Sequence, residues 1–246
     1  MDMTDPTRRE FLAATGGTLG LAAWPARATP AQSQELPPGP TVLFQGDSIT
    51  DCGRVRSVRE PNTGNGLGTG YPLLVASAAL RADPARWFQF FNRGISGDKV
   101  PDLQARWEAD ALALKPDFLS ILVGVNDYWH KRNAGYAGTV ADYESGCTAL
   151  LESTRKALPN VKLVVLEPFV LRHGAVDATW FPEFDERRAV AARVAKRVDA
   201  LFVPLQAAFD ELAAKAPPAH WASDGVHPTP AGHWVIAERW RAAVAI

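Results

Sequence analysis

A serine, an aspartate and a histidine, separated by most of the chain, raise the question of chemistry. Ser48 follows the apolar run Val42–Gln45 in the stretch Gly46-Asp47-Ser48-Ile49-Thr50. Asp224-Gly225-Val226-His227-Pro228 lies near the C-terminal end. A serine hydroxyl is a weak nucleophile until an adjacent base takes its proton. Histidine suits that task near neutral pH, and an aspartate three residues earlier can bond its other ring nitrogen and fix the tautomer. Two more stretches offer donors for the oxyanion that acyl transfer creates. Asn92-Arg93-Gly94-Ile95-Ser96-Gly97 contains Gly94, whose backbone N–H is left open to a ligand by the missing side chain. Gly124-Val125-Asn126-Asp127 supplies the Asn126 amide. With the N–H of Ser48 these make a three-donor oxyanion hole. Each stretch alone has a plainer reading: Ser48 caps a helix, Gly94 is a turn glycine, Asn126-Asp127 is a turn or cap, and Asp-x-x-His is a surface turn. Together they supply nucleophile, base, orienter and donors. His130, His173, His220 and His233 have no acid at comparable spacing and read as solvated or satisfied core residues. Asp47 has no chemical task in this scheme and reads as a brace for the loops around the site.

These groups need a scaffold that brings them to one edge. Five apolar runs provide the strands: Val42–Gln45, Trp87–Asn92, Phe118–Val123, Val161–Leu166 and Ala200–Val203. Helical patterns lie between them, over Tyr71–Arg81, Val100–Leu112, Val140–Leu158 and Glu183–Asp199, and Pro230–Ala245 closes the chain. Alternating strands and helices predict an α/β fold with a parallel sheet covered on both faces. In such folds ligands sit at the carboxyl ends of the strands, where Ser48 falls. Two stretches fit neither pattern. Arg54–Gly70 is glycine-rich but lacks the Lys-Ser/Thr ending of a phosphate-binding loop. It reads as a mobile wall of the site, with a plain surface loop as the alternative. His173–Pro182 reads as a loop that shapes specificity.

Composition narrows the function classes. The 246 residues are 47% hydrophobic and 22% charged, ordinary globular values, with a net charge of −1. No basic stripe is present, which argues against nucleic acid as a partner. Cys52 and Cys147 are the two cysteines, and neither has a second Cys or a His at metal-ligand spacing. Whether they pair is open. At the N-terminus, Thr7-Arg8-Arg9-Glu10-Phe11-Leu12 is a twin-arginine pattern, followed by a modest apolar run to Trp24 and Ala26-Arg27-Ala28 as a cleavage site. Residues 1–28 therefore read as a Tat export signal, which implies a periplasmic or secreted destination and no stable membrane anchor. Residues 29–40 read as a flexible lead-in, and 41–246 as one catalytic domain.

The four motif stretches resemble the blocks of the SGNH hydrolases, the GDSL-like lipase/acylhydrolase superfamily. Gly46–Ser48, Gly94, Gly124–Asp127 and Asp224–His227 match them in order. The resemblance implies a three-layer α/β/α sandwich with a five-stranded parallel sheet, flavodoxin-like in character, and a serine esterase mechanism without metal or other cofactor. It implies Ser48, Asp224 and His227 as the triad and Ser48, Gly94 and Asn126 as the oxyanion donors. A narrower resemblance to carbohydrate acetylesterases, including acetylxylan esterases, is carried by Gly46–Arg54, Leu67–Tyr71, Asn92–Gly97, Arg106-Trp107, Lys115–Asp117 and Gly124–Asp127. Some of those enzymes assemble as oligomers, so self-assembly is open. The expected substrate is a small-molecule or oligosaccharide ester, most naturally an O-acetylated sugar such as xylan carries. Aromatic residues near the motifs, Tyr128, Trp129, Trp180 and Trp221, suit a sugar face. Trp129, Trp221 and Tyr71 are the candidate substrate contacts. The competing expectations are a lysophospholipase or thioesterase, and a catalytically silent carbohydrate-binding protein.

Overall fold

The five apolar runs form five parallel strands: β1 (Thr41–Gly46), β2 (Gln89–Asn92), β3 (Phe118–Leu122), β4 (Lys162–Leu166) and β5 (Leu201–Val203). This computed structural model describes residues 38–246. Residues 1–28, read above as an export signal, fall outside the described residues. So does the lead-in except for residues 38–40, which run beside Trp87–Gln89 through Gly39 N–H to Trp87 O and Gln89 N–H to Pro40 O.

The strand order is β2-β1-β3-β4-β5. The chain leaves β1 for one neighbour and later returns to its other side. That reversal opens a crevice at the carboxyl ends of β1 and β3, the expected ligand position for this topology. Adjacent residues of β1 serve opposite faces. Val42 and Phe44 pack into one core with Phe90, Val164, Phe209 and Trp240, and Leu43 packs into the other with Leu119, Ile121, Leu163 and Val165. Strands buried on both sides must be continuously apolar, so the sequence runs were legible.

Among the described residues there are ten α-helices: α1 (Ser48–Asp51), α2 (Gly64–Leu67), α3 (Tyr71–Ala82), α4 (Val100–Asp110), α5 (Val125–Asn133), α6 (Val140–Ala157), α7 (Glu183–Arg197), α8 (Gln206–Ala213), α9 (Pro218–Trp221) and α10 (Pro230–Val244). Helices α4, α6 and α7 cover the Leu43 face, and α3, α8 and α10 cover the Phe44 face. The sandwich has three layers, as the resemblance implied. Helix α6 starts with a reciprocal cap between Thr139 and Asp142 and ends just before Pro159, whose ring disfavours a helical neighbour.

Three expectations change. Trp87 and Phe88 do not join β2: Trp87 turns into the left-handed region at φ 52° and lies exposed. Helices α5 and α8 were not read from the sequence, because both are short and α5 is polar. The Arg54–Gly70 stretch is not a free wall. Asn62 N–H donates to Phe90 O, its amide donates to Phe88 O and accepts from Phe90 N–H, and Val55 N–H donates to Asn65 O. The loop therefore pairs with the edge strand β2 and shields it from further strand pairing.

Candidate active site

Ser48 leaves β1 at the crevice and opens α1. Asp47 caps this turn, its Oδ1 accepting the Ile49 N–H at 3.0 Å. The serine Oγ lies 2.8 Å from His227 Nε2. His227 Nδ1 lies 2.7 Å from Asp224 Oδ2. The Asp224–His227 turn is nearly self-contained, since Asp224 Oδ1 also accepts the N–H of Val226 at 2.9 Å and of His227 at 2.7 Å. Burial alone would raise the Asp224 carboxyl, but these hydrogen bonds from His227 and Val226 outweigh it and hold the carboxyl below its ordinary range. An ionised carboxylate only accepts, so Nδ1 carries the proton and the Nε2 lone pair faces the serine hydroxyl. The segment after β4 buttresses the turn: Leu171 N–H donates to Gly225 O and Ala175 N–H to Asp224 O. The loop read as shaping specificity thus also supports the histidine from behind.

Asn126 sits in the first turn of α5, where its Nδ2 donates to Asp98 O at 3.2 Å. Asp127 accepts the N–H of Val100 through both oxygens at 3.1 and 3.3 Å, which locks the start of α5 to the start of α4. Burial pushes the Asp127 carboxyl up to about 6. Fully buried Arg187 spans this region, donating to Glu183 at 2.6 Å and reaching Asp127 O and Gly138 O.

Gly94 is not an open donor. Its N–H donates to Asn92 Oδ1 at 2.9 Å, and a Cβ there would meet Asp51 N at 2.5 Å. The glycine lets the loop pack against α1, so its role is close approach. Three residues on, Gly97 has the properties expected of a donor. Its φ is +88°, a Cβ there would meet only His130 Cε1 at 3.9 Å, and among the described residues its N–H has no acceptor. It is flanked by Ser96, whose N–H and hydroxyl both donate to Asp51, and by Asp98, whose carbonyl holds Asn126. The sequence offered a signal for it, the second glycine of Gly94-Ile95-Ser96-Gly97.

The aromatic candidates separate. Tyr71 is fully buried and its hydroxyl pairs with Thr50 Oγ1 at 3.0 Å, so it cannot touch a substrate. Trp221 spends its Nε1–H on Leu212 O and Ala216 O and packs against the core. Trp180 is buried beneath the site, bonded to Ala175 O. Trp129 lies between Trp180 and His227, with ring centroids 5.8 Å from each, and is partly exposed. Of the four it is the one at the mouth.

The site is open: the side chains of His227 and Asp224 are 41% and 37% exposed. A separate hollow of about 810 Å³ lies against β2, lined by Leu80, Trp87 and Phe88 among others, and holds none of these groups. Both cysteines are free. Cys147 is buried on the inner face of α6, and Cys52 contacts His233 Nε2 at 3.3 Å. His233 accepts the Tyr71 N–H at Nδ1 and stays neutral, its value pressed to about 4 by burial. Among the described residues no group of three or more His, Cys, Asp or Glu side chains is placed to hold a metal ion, and no helix is long and apolar enough to cross a membrane.

Comparison with known proteins shows the family and the fold. Residues 44–235 match the model of the GDSL-like Lipase/Acylhydrolase family. An acetylxylan esterase of Geobacillus stearothermophilus is 38% identical over 204 residues, spanning 81% of this chain and 91% of that protein. A solved putative GDSL-like lipase from Parabacteroides merdae is 46% identical and superposes with a TM-score of 0.83, over 85% of this chain and 96% of that one. The solved Geobacillus esterase Axe2 is 36% identical with a TM-score of 0.77, over 85% and 95% of the two chains. Serine-to-alanine and histidine-to-alanine variants of that enzyme are described as catalytic mutants.

Proposed function

The chain belongs to the GDSL-like lipase/acylhydrolase family and is a carboxylic ester hydrolase; on that premise we propose that it removes acetyl groups from O-acetylated carbohydrates, with Ser48 as nucleophile, His227 as base and Asp224 as orienter. One observation carries the chemistry: the continuous hydrogen-bonded line from Ser48 Oγ through the His227 ring to Asp224. Ser48 attacks the acetyl carbonyl as Nε2 takes its proton, and Asp224 stabilises the imidazolium that forms. The negative charge on the carbonyl oxygen is met by the N–H of Ser48, the N–H of Gly97 and the Asn126 amide. His227 then protonates the departing sugar oxygen. Water enters by the same route in reverse and releases acetate.

The substrate class is supported by the open mouth, which leaves room for a bulky alcohol, and by Trp129, whose ring beside His227 offers a face for the apolar C–H side of a sugar. The likeness to acetylxylan esterases points the same way. Export by the twin-arginine route, read from residues 1–28, would deliver the enzyme to polysaccharide-derived substrates, and cell fractionation tests it.

Hydrolysis of p-nitrophenyl acetate by wild type and Ser48→Ala tests the mechanism. The expected loss is about 10⁴-fold or more. Near wild-type turnover would remove Ser48 from the role. A chain-length series from acetate to dodecanoate, together with acetylated xylo-oligosaccharides, tests the substrate. A maximum on long acyl chains would favour a lysophospholipase or thioesterase instead.

A further inference from the structure

Asp47 stands directly before the nucleophile, yet the proposed reaction gives it no step. Its carboxyl is 1% exposed. Oδ1 accepts the Ile49 N–H at 3.0 Å, and its backbone carbonyl accepts the N–H of Thr50 and Asp51. The second carboxyl oxygen, Oδ2, is buried and has no hydrogen-bond partner among the described residues. A buried carboxylate normally gathers several donors, because removing its charge from water is costly. Asp47 has one side-chain hydrogen bond.

The groups around it do not supply the missing charge. The charges of Asp127, from the first turn of α5, and of Asp98, from the loop before α4, raise its carboxyl further. Tyr71, from the start of α3, is near but its hydroxyl is engaged with Thr50. The cations of this region are committed elsewhere: Arg106 to Asp98, Asp110 and Gln45, Arg187 to Glu183, and Lys99 to Asp102. Burial, with these two carboxylates, brings Asp47 up to about 7.

The same turn carries the Ser48 N–H, which has no acceptor among the described residues and is the first donor of the proposed oxyanion hole. Asn126, the third donor, is the residue before Asp127 and is bonded to Asp98 O. A negative charge on Asp47 would therefore lie beneath the place where the reaction creates another one.

We propose that Asp47 is a positioning residue that serves the reaction as a neutral acid, holding the Ser48 turn through Oδ1 while keeping negative charge out of the floor of the oxyanion hole. The inference rests on the reading of Ser48 as nucleophile. Turnover then requires two opposite protonation states: His227 must be neutral to act as base, and Asp47 must keep its proton. Loss of the Asp47 proton therefore gives a rate that falls as pH rises.

The test is kcat for p-nitrophenyl acetate from pH 5.5 to 9.5 in wild type and Asp47→Asn, with Ser48→Ala as the blank. Asparagine keeps the Oδ1 cap and cannot ionise. The wild-type kcat is expected to fall on the order of tenfold on the alkaline side, the size of a unit-charge repulsion across roughly 10 Å in a protein. Asp47→Asn is expected to hold its plateau, so the variant-to-wild-type ratio climbs with pH. Profiles of the same shape would overturn the proposal. If Asp47→Asn does not fold, the wild-type profile decides, and a plateau kept to pH 9.5 overturns it. Absence of any Ser48-dependent turnover would instead overturn the reading on which it rests.

Discussion

Replacing Asn92 by alanine separates the two glycines of the loop after β2. Asn92 is 1% exposed at the end of β2. Its Nδ2 donates to Thr50 O at 2.6 Å and to Leu67 O at 2.8 Å, and its Oδ1 accepts the Gly94 N–H at 2.9 Å. One side chain thus ties together helix α1, which carries Ser48, the end of α2 and the loop that leads to Gly97. Alanine removes these three hydrogen bonds and a longer one to Asp51 O at 3.5 Å, and it leaves three backbone groups without partners. At about 1 kcal/mol for each bond, and more where the orphaned group stays dry, the loss is roughly 3–6 kcal/mol. That is a large share of the ~5–15 kcal/mol that holds a typical domain. In a domain of this size it lowers Tm by about 6–24 °C. Calorimetry reads the stability, and p-nitrophenyl acetate hydrolysis at a temperature well below the transition reads the site. The activity is expected to fall, because the Gly94–Gly97 segment loses its tether. If Gly94 N–H were the oxyanion donor, the variant would free it, and kcat would hold or rise. A Tm loss under about 2 °C, or undiminished kcat in folded protein, refutes the reasoning.

Gly94→Ala is expected to act on stability, by about 1–3 kcal/mol or more, since its Cβ meets backbone at 2.5 Å. Gly97→Ala has open space but a φ of +88°. It should cost about 1–2 kcal/mol in stability and turnover by up to ~10²–10³-fold with KM little changed, and comparing Tm with kcat in both variants checks the assignment. Trp129→Ala should raise KM for acetylated xylo-oligosaccharides about tenfold while leaving p-nitrophenyl acetate nearly unaffected, and equal effects on both would remove the sugar-stacking role. Asp224 has a folded value below its ordinary one, so the stability it contributes is fully present above the unfolded value near pH 4 and is lost as pH falls through the lower folded value. Asp224→Asn should therefore lack this acid-labile part in a pH series of Tm, and should lose roughly 10⁴-fold in kcat by freeing the wrong His227 tautomer.

The strands could be read because each must be apolar on both faces, and their order made Ser48 and Asn126 neighbours at the crevice. Trp87 was misread because the same aromatic character serves a strand or an exposed turn, and here it takes a left-handed backbone beside Gly39. Tyr71 was misread because its nearness in sequence to the site loop says nothing of which way the ring turns. It points inward, to Thr50. Helix α5 escaped notice although it carries Asn126, because its polar residues Asn126, Asp127, His130, Lys131 and Arg132 leave little apolar periodicity.

The sequence by itself determined the alternation of strands and helices, the residue types for acyl transfer and the pairing of Asp224 with His227 in one turn. These follow from local rules, since burial on two faces dictates composition and a three-residue spacing closes a turn. Only the tertiary structure decided which N–H groups remain to meet an oxyanion, which tryptophan stands at the mouth, and that Asp47 is buried with an unpaired oxygen among other carboxylates. A hydrogen-bond donor is available when nothing else in the fold has taken it. For Gly94 the taker is the side chain of Asn92, only two residues away, but turned back by a loop that is itself held from α1 and α2.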